Sequence, residues 1–499
     1  MVLTKNSAAR PRPWSMAAWS GPIGWGIAAL VAMLAVLLIN GAPLFYFDTA
    51  GYLRQGVSVF RILGLGLDQG ADPAAATGQV GSDNDGMVIG SRSVVYAVLL
   101  TAFARVGPLW LFAVFQAAIL AATTWLICAK VNQLLGSQHS TIKITALCLF
   151  AASLGSASFY AAFLMPDIFA PVLLMSMAAI VALAPVLRVW SSLALLALGM
   201  GAVMVHPSHL VISVVMLPVC LVVGYLFRTG RLGRSMLLLV LMPVAGVAQL
   251  ALLTFAVERA TDDDVVYLPF FTARLISDGP GLAFLDQVCP TDEWATCALH
   301  AKLLRPEQLS PNEILFSPTV ETGSFALLEP DLRKAISQEQ SAFLRAVVLG
   351  HPGKVLRAAF GNTLDQLGRV SIGMTIPDKK MIVSAKRIYS GFPETLSEGR
   401  MIADDPDWED YLTQAHQAFY QLSLMAIMGL VLVPQSRISA NIRAFAVLIL
   451  LGILANAFVT GAISQPADRY GARVAFLIPM LAVLLCLIRP ARPDADTNG

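Results

Sequence analysis

Charge is what this sequence of 499 residues has least of: Asp, Glu, Lys and Arg together make up 13% of it, against 57% hydrophobic residues. A water-soluble protein of this length could not cover its surface with so few charges, which excludes an ordinary soluble enzyme and makes lipid the main solvent. The charges present nearly cancel, at +2, and the basic residues fall in short clusters between apolar runs, so nucleic acid is excluded as a partner. A Gly-rich phosphate loop, a nucleophile elbow and a zinc-protease motif are all missing, which removes soluble-type nucleotide and acyl chemistry. No internal repeat is visible, which argues against a transporter built from two related halves. Cysteine is scarce, at six residues, and Cys128, Cys148, Cys220 and Cys486 lie in or at the ends of apolar segments, where they read as small hydrophobes. Cys289 and Cys297 bracket a polar stretch and are close enough in sequence to close a small disulfide loop in an oxidising compartment.

What is abundant is long apolar runs. They lie near 22–40, 108–127, 143–159, 168–187, 190–206, 210–227, 235–257, 416–434, 444–464 and 472–488, each long enough to cross a bilayer. The first follows Lys5, Arg10 and Arg12 and reads as an anchor rather than a cleaved signal peptide. A shorter run at 93–106 reads as a half-helix dipping into the outer leaflet and ending at Gly107-Pro108, the alternative being a full extra crossing. Basic residues mark the cytoplasmic ends: the N-terminus, Lys130 with Lys143, Arg188, Arg228 with Arg231 and Arg234, Arg437 with Arg443, and Arg489 with Arg492.

The expected fold is therefore an all-α polytopic protein of the bacterial inner membrane, with about 10–11 transmembrane helices and both termini cytoplasmic. Its parts are a cytoplasmic N-terminus (1–21), a transmembrane core (22–257) with an outer loop (41–92), a mainly helical periplasmic domain (258–415), C-terminal transmembrane helices (416–488) and a cytoplasmic tail (489–499).

The polar residues of interest all fall on the outer side. Asp48 is embedded in aromatics in Phe45-Tyr46-Phe47-Asp48-Thr49, directly after the first apolar run. A desolvated carboxylate there can serve as a general base; equally, it can cap an amphipathic segment, 49–63, whose Arg54 and Arg61 would lie at the height of lipid phosphates. Asp167, in Leu164-Met165-Pro166-Asp167-Ile168, is an ionisable group so near the membrane that it is either functional or a cap for the next helix. His206 and His209 share a turn at a spacing that can present two imidazoles, but Pro207 lies between them and no third ligand is near. The acid runs Asp262-Asp263-Asp264 and Asp404-Asp405-Pro406-Asp407 lack calcium-loop spacing and read as solvated loop. No metal site and no cofactor are expected, and a divalent cation has no residue set to support it.

Taken together, Asp48 after the first helix, Arg92-Ser93-Val94-Val95-Tyr96 before the next apolar run and Pro166-Asp167 at the outer end of a later helix resemble the GT-C glycosyltransferases. The likeness is to their protein-mannosyltransferase-like and lipid-A aminoarabinose-transferase-like members and covers roughly residues 20–230. The late turn Asp468-Arg469-Tyr470-Gly471-Ala472-Arg473 resembles the Arg-Tyr turn of some of them.

The resemblance implies transfer of a sugar from a polyprenyl-phosphate donor to a lipid, glycan or protein acceptor on the outer face, within membrane lipids. It implies Asp48 as the catalytic acid of the first loop, Asp167 as the second acid, and Arg92, Arg469 and Arg473 as the clamp on the donor phosphate. Unlike those proteins, no soluble domain is expected after the last helices, and the large outer segment precedes the last three spans. A transporter or flippase for a lipid or polysaccharide precursor, and a non-catalytic envelope scaffold, are the competing expectations.

Overall fold

The structure, a computed structural model, describes residues 21–62, 64–65, 87–90, 92–136, 140–261, 264–289, 294–305, 309–379, 381, 383, 399–401, 407–432 and 438–488. Outside them lie the expected cytoplasmic N-terminus and tail, with Lys5, Arg10, Arg12, Arg489 and Arg492, as well as Arg437 and the acid runs Asp262-Asp263 and Asp404-Asp405.

Helix follows the apolar runs. The first half of the chain forms α1 (Pro22–Met33), α2 (Ala35–Asn40), α3 (Phe47–Ile62), α4 (Val94–Val106), α5 (Trp110–Leu135), α6 (Thr141–Leu154), α7 (Ala157–Ala162), α8 (Phe169–Ala182), α9 (Val189–Met204), α10 (Pro207–Leu226) and α11 (Leu232–Thr261). An insert contributes α12 (Phe270–Ser277), α13 (Pro280–Val288), α14 (Thr296–Lys302), α15 (Pro311–Phe316), α16 (Pro330–Gly350) and α17 (Pro352–Gly368). The chain returns through α18 (Asp407–Leu432), α19 (Ala440–Phe458) with a π-helical turn at Val459–Ser464, α20 (Asp468–Ala475) and α21 (Leu477–Leu487).

Among the described residues six helical stretches are long and apolar enough to cross a membrane: Trp110–Leu135, Pro207–Leu226, Leu232–Ala260, Trp408–Leu432, Ala440–Ser464 and Asp468–Leu487. The protein is an all-α, multi-pass membrane protein. The other four expected runs are helical but shorter or interrupted. The run near 22–40 breaks at Leu34, and the run near 143–159 breaks at Gly155. At the second break the freed Ser156 N–H donates to the Tyr420 hydroxyl at 3.0 Å, so a neighbouring helix satisfies a backbone group that lipid could not. Helix α4 has 13 residues; at 1.5 Å per residue it reaches about 20 Å, short of the roughly 30 Å hydrocarbon core.

Helix α8 is the hub of the bundle: each of its residues is buried, and α5, α9, α10, α11 and α19 pack around it. Helix α11 lies at the periphery and exposes Leu237, Val244, Val247, Leu252 and Phe255, a surface that hydrocarbon covers without cost. The insert has a core of its own around Ile276, Leu285, Ile314, Ile336 and Phe343, and α17 leans from it onto α19, the π turn and α20.

Among the described residues two extended pairings interrupt the helical pattern. Strands β1 (Met87–Ile89) and β2 (Asp264–Val266) run parallel, and Leu44 pairs with Phe163 in an isolated parallel bridge. A three-residue strand is too short to show an alternating sequence, which is why no strand was expected at either place.

The amphipathic segment after Asp48 departs from expectation. Arg54 is buried rather than set among lipid phosphates, because α3 packs closely along α4. Gly56 marks the closest approach, where a Cβ would collide with the Thr101 hydroxyl and come within 2.5 Å of the Ala97 carbonyl oxygen.

Candidate functional site

The Leu44–Phe163 bridge aligns two distant segments in parallel. Leu44 N–H donates to the Ala162 carbonyl at 2.9 Å, and Leu164 N–H to the Leu44 carbonyl at 2.8 Å. Asp48 and Asp167 each lie four residues beyond their bridged position, so a shared register delivers both carboxylates to one place. The Thr49 hydroxyl fastens the two segments again by donating to the Leu164 carbonyl at 3.1 Å.

Arg92 lies just ahead of α4, which runs beside α3 in the same direction, so that Gly51 meets Arg92 and Phe60 meets Arg105. Ser93 caps α4 by accepting from the Tyr96 N–H at 3.2 Å, and its hydroxyl donates to the Met204 carbonyl at 2.7 Å, so the residue before it is held in place. The Arg92 guanidinium lies across Gly51, where any Cβ would sit 2.9 Å from its central carbon. From there Nη2 and Nε donate to Asp48 Oδ1 at 2.6 and 3.2 Å.

Arg469 and Arg473 come from one face of α20, one turn apart. Arg469 bridges the two acids, with Nη1 3.8 Å from Asp48 Oδ2 and Nε 3.3 Å from Asp167 Oδ1. Its guanidinium lies 4.9 Å from the Tyr46 ring centre and 5.1 Å from that of Tyr470. Arg473 donates to Asp167 Oδ1 at 3.3 Å, to Asn456 Oδ1 at 2.8 and 3.1 Å, and to the Ser208 hydroxyl at 3.3 Å.

Helix α20 is short, and its backbone is pinned from several directions. The Tyr160 hydroxyl donates to the Arg469 carbonyl at 2.6 Å, Asn456 to the Tyr470 carbonyl at 2.8 Å, and Ser156 to the Ala472 carbonyl at 2.5 Å. Gln366 of α17 grips Ala467 twice, donating to its carbonyl at 3.0 Å and accepting its N–H at 2.9 Å. Gly471 allows this contact, since a Cβ there would collide with the Arg369 carbonyl.

The five charged residues expected to act together therefore form one cluster: Asp48, Asp167, Arg92, Arg469 and Arg473. Three cations against two anions leave it with a net +1. Exposure grades through it. Asp167 and Arg473 are wholly buried and Arg469 is 5% exposed, while the side chains of Arg92 and Asp48 keep 19% and 33% of their surface open. Burial pushes the Asp48 carboxyl up, but the Arg92 and Arg469 guanidinium groups outweigh it and hold the group below its usual 3.8. The buried Oδ2 of Asp167 has no hydrogen-bond donor among the described residues.

Helix N-termini converge on the cluster as well. Asp48 sits in the first turn of α3, Arg92 just ahead of α4, Asp167 ahead of α8, Ser208 at the start of α10 and Arg469 at the start of α20. Their dipoles add positive potential to that of the arginines, which suits an anion. The direct partners of both acids are arginines, so side-chain capping is not what holds either carboxylate.

Of the remaining candidates, His206 touches the edge of the cluster, its Nδ1 lying 2.7 Å from the Ser208 hydroxyl that accepts from Arg473. The rings of His206 and His209 are 5.1 Å apart. His206 Nδ1 accepts the Ser208 N–H at 3.1 Å, and His209 Nδ1 is 2.7 Å from the Ala202 carbonyl oxygen, which makes both rings parts of the α9–α10 turn. Among the described residues no group of three or more His, Cys, Asp or Glu is placed to hold a metal. Cys289 and Cys297 form a disulfide, with Cα atoms 5.4 Å apart, beside the core of the insert and not in the cluster.

Asn456, Ser208, Tyr46 and Gln366 join the site without having been singled out in the sequence. Asn456 carried a usable signal, as a lone amide inside the apolar run 444–464, where a polar side chain needs a partner. Gln366 carried none, because an amide on an amphipathic helix looks like any solvated residue. Comparison with family models, with curated proteins and with solved structures finds no match to this chain.

Proposed function

We propose that the protein is a GT-C-like glycosyltransferase of the bacterial inner membrane. In this reading it moves a sugar from a polyprenyl-phosphate donor to a lipid, glycan or protein acceptor at the outer face. One observation carries the reading: two acids and three arginines from distant segments meet in a cluster of net +1 that is sealed at one end and open at the other.

The open end is suited to the chemistry. Arg92 and Arg469 meet the donor phosphate, since planar guanidinium groups match phosphate oxygens and a net positive, partly desolvated site favours an anion. As Arg92 turns from Asp48 to the phosphate, the carboxylate loses the partner that holds its proton affinity down and becomes a stronger base. It then takes the proton of the acceptor hydroxyl. The acceptor oxygen forms its bond to the anomeric carbon, the bond from that carbon to the phosphate oxygen breaks, and the departing phosphate keeps the electron pair opposite the two arginines. Arg473, buried and already bonded to Asn456, Asp167 and Ser208, supports Asp167, which in turn orients Arg469. The basic residues at the opposite ends of the apolar runs support placing the cluster outside.

The test is transfer of radiolabelled sugar from a panel of polyprenyl-phosphate sugars, in native-like lipid, by wild type, Asp48→Asn and Asp167→Asn. Wild type transfers, and Asp48→Asn loses about 10²- to 10⁴-fold, the usual contribution of a positioned base. Full activity in Asp48→Asn would sink the assignment of the base. Movement of the lipid-linked sugar across the bilayer without transfer would favour a flippase instead.

A further inference from the structure

Helix α17 divides into three sectors around its axis. One packs on the protein: Thr363 and Gln366 are buried, Gln366 grips Ala467, and Asn362 donates to both carboxylate oxygens of Asp278 at 3.0 Å. The next sector is apolar and open, with Leu356, Phe360, Leu364 and Leu367 at 70, 68, 52 and 40% exposure. Their spacing of i, i+4, i+8 and i+11 makes one continuous stripe on a helix of 3.6 residues per turn. The third sector, made by Lys354, Arg357, Gly361 and Asp365, is polar or small and also exposed.

Two faces of one helix that both lie open, one fit for water and one not, describe an element at a boundary between two solvents. The neighbouring surface says what the apolar solvent is. Helix α17 packs against α19, whose span is long and apolar enough to cross a membrane and which exposes Leu454 and Phe458 at 43 and 39%. The stripe thus belongs to a helix seated directly on a membrane-spanning one whose open side chains hydrocarbon covers.

We infer that α17 is an interfacial helix: it lies in the plane of the bilayer surface with Leu356, Phe360, Leu364 and Leu367 in the acyl chains and Lys354 and Arg357 among the headgroup phosphates. The length of the two basic side chains lets their charges reach upward while their stems stay in apolar surroundings. Because Gln366 on the same helix holds Ala467, two residues before Arg469, the depth at which α17 floats sets the height of the arginine helix relative to the membrane surface. The inference does not depend on the transferase reading; it needs only that the protein spans a bilayer.

The experiment places a nitroxide at single cysteines in the full-length chain reconstituted in liposomes. The exposed Cys486 is first changed to Ser, and the Cys289–Cys297 disulfide is left oxidised. Labels at Leu356→Cys, Phe360→Cys, Leu364→Cys and Leu367→Cys are compared with labels at Arg357→Cys, Gly361→Cys and Asp365→Cys. All seven positions are open; at Gly361 an added Cβ meets nothing within 4 Å. The expected result is a ratio of oxygen to water-soluble nickel-complex collisions several-fold higher along the stripe than at the other three sites, repeating with helical period. Nickel access at all seven overturns the inference, because the stripe then faces water. Stripe positions closed to both reagents overturn it too, because a second protein copy then covers them in place of lipid.

Discussion

Asp48 and Asp167 lie four residues beyond paired backbone positions and share Arg469, yet one keeps a third of its side-chain surface open and the other none. At the sealed end Arg473 is met by Asp167, Asn456 and Ser208 and has nowhere to turn. At the open end Arg92 and Asp48 hold each other, but a ligand that brings its own negative charge can displace the carboxylate from the guanidinium. The same pairing of an acid with an arginine is thus architecture where water is excluded and an exchangeable contact where it is not. What separates the two is the cost of leaving a charge unpaired, which is large in a buried site and small in a wet one.

The sharpest way to break this comparison is to remove a partner from the sealed end. Asp167→Ala leaves the Arg473 guanidinium an uncompensated buried charge and is expected to cost about 3–5 kcal/mol. It should appear as a large fall in thermal stability and yield in mild detergent; a variant as stable as wild type would mean that the two ends do not differ.

A smaller effect is expected in a region that belongs to neither end. Removing the disulfide with Cys289→Ala and Cys297→Ala together is expected to cost about 2–3 kcal/mol, the loop-closure value for so short a loop. Hydrogen exchange should then rise across α13 and α14 of the insert and stay unchanged at α20. Faster exchange at α20 would show that the insert and the cluster open as one unit.

Smallest of all should be Asp48→Asn. With a third of the side chain open, solvent screens its ion pairs, and the loss of stability is expected to be about 1 kcal/mol or less, in contrast to the large loss expected in the proposed transfer. The pH dependence has a definite sign. The folded-state carboxyl lies below its usual 3.8, so its contribution is complete above that value and is lost as the pH falls through the lower folded one. The difference in melting temperature between wild type and Asp48→Asn should therefore be flat from about pH 8 to about pH 5 and close only in stronger acid. A difference that closed already near pH 6 would mean that the arginines do not hold Asp48 ionised.

Much of the cluster was legible before the fold. Asp48 and Asp167 stood out because each is an ionisable residue at the edge of an apolar run, where charge is costly and so must have a purpose or a partner, while Arg92, Arg469 and Arg473 stood out only through the resemblance of their motifs to the GT-C transferases. The apolar runs all became helix, since lipid requires each backbone group to be satisfied within its own segment. Their interruptions at Leu34 and Gly155 were not visible, because the second depends on a hydroxyl, that of Tyr420, which lies far away in the sequence. The burial of Arg54 was equally hidden, as it follows from how closely α3 approaches α4.

The sequence by itself determined the solvent: too few charges for water and apolar runs long enough for lipid, both properties of composition that no contact can alter. It also determined which residues had to find partners. Only the tertiary structure decided which acid meets which arginine, that Asp167 is sealed while Asp48 is open, and that Asn456 and Gln366 belong to the site. The physical reason is that pairing and access are properties of a place shared by several segments. The Leu44–Phe163 bridge, the packing of α3 along α4 and the grip of α17 on Ala467 create that place by joining residues whose separation along the chain says nothing of their distance in space.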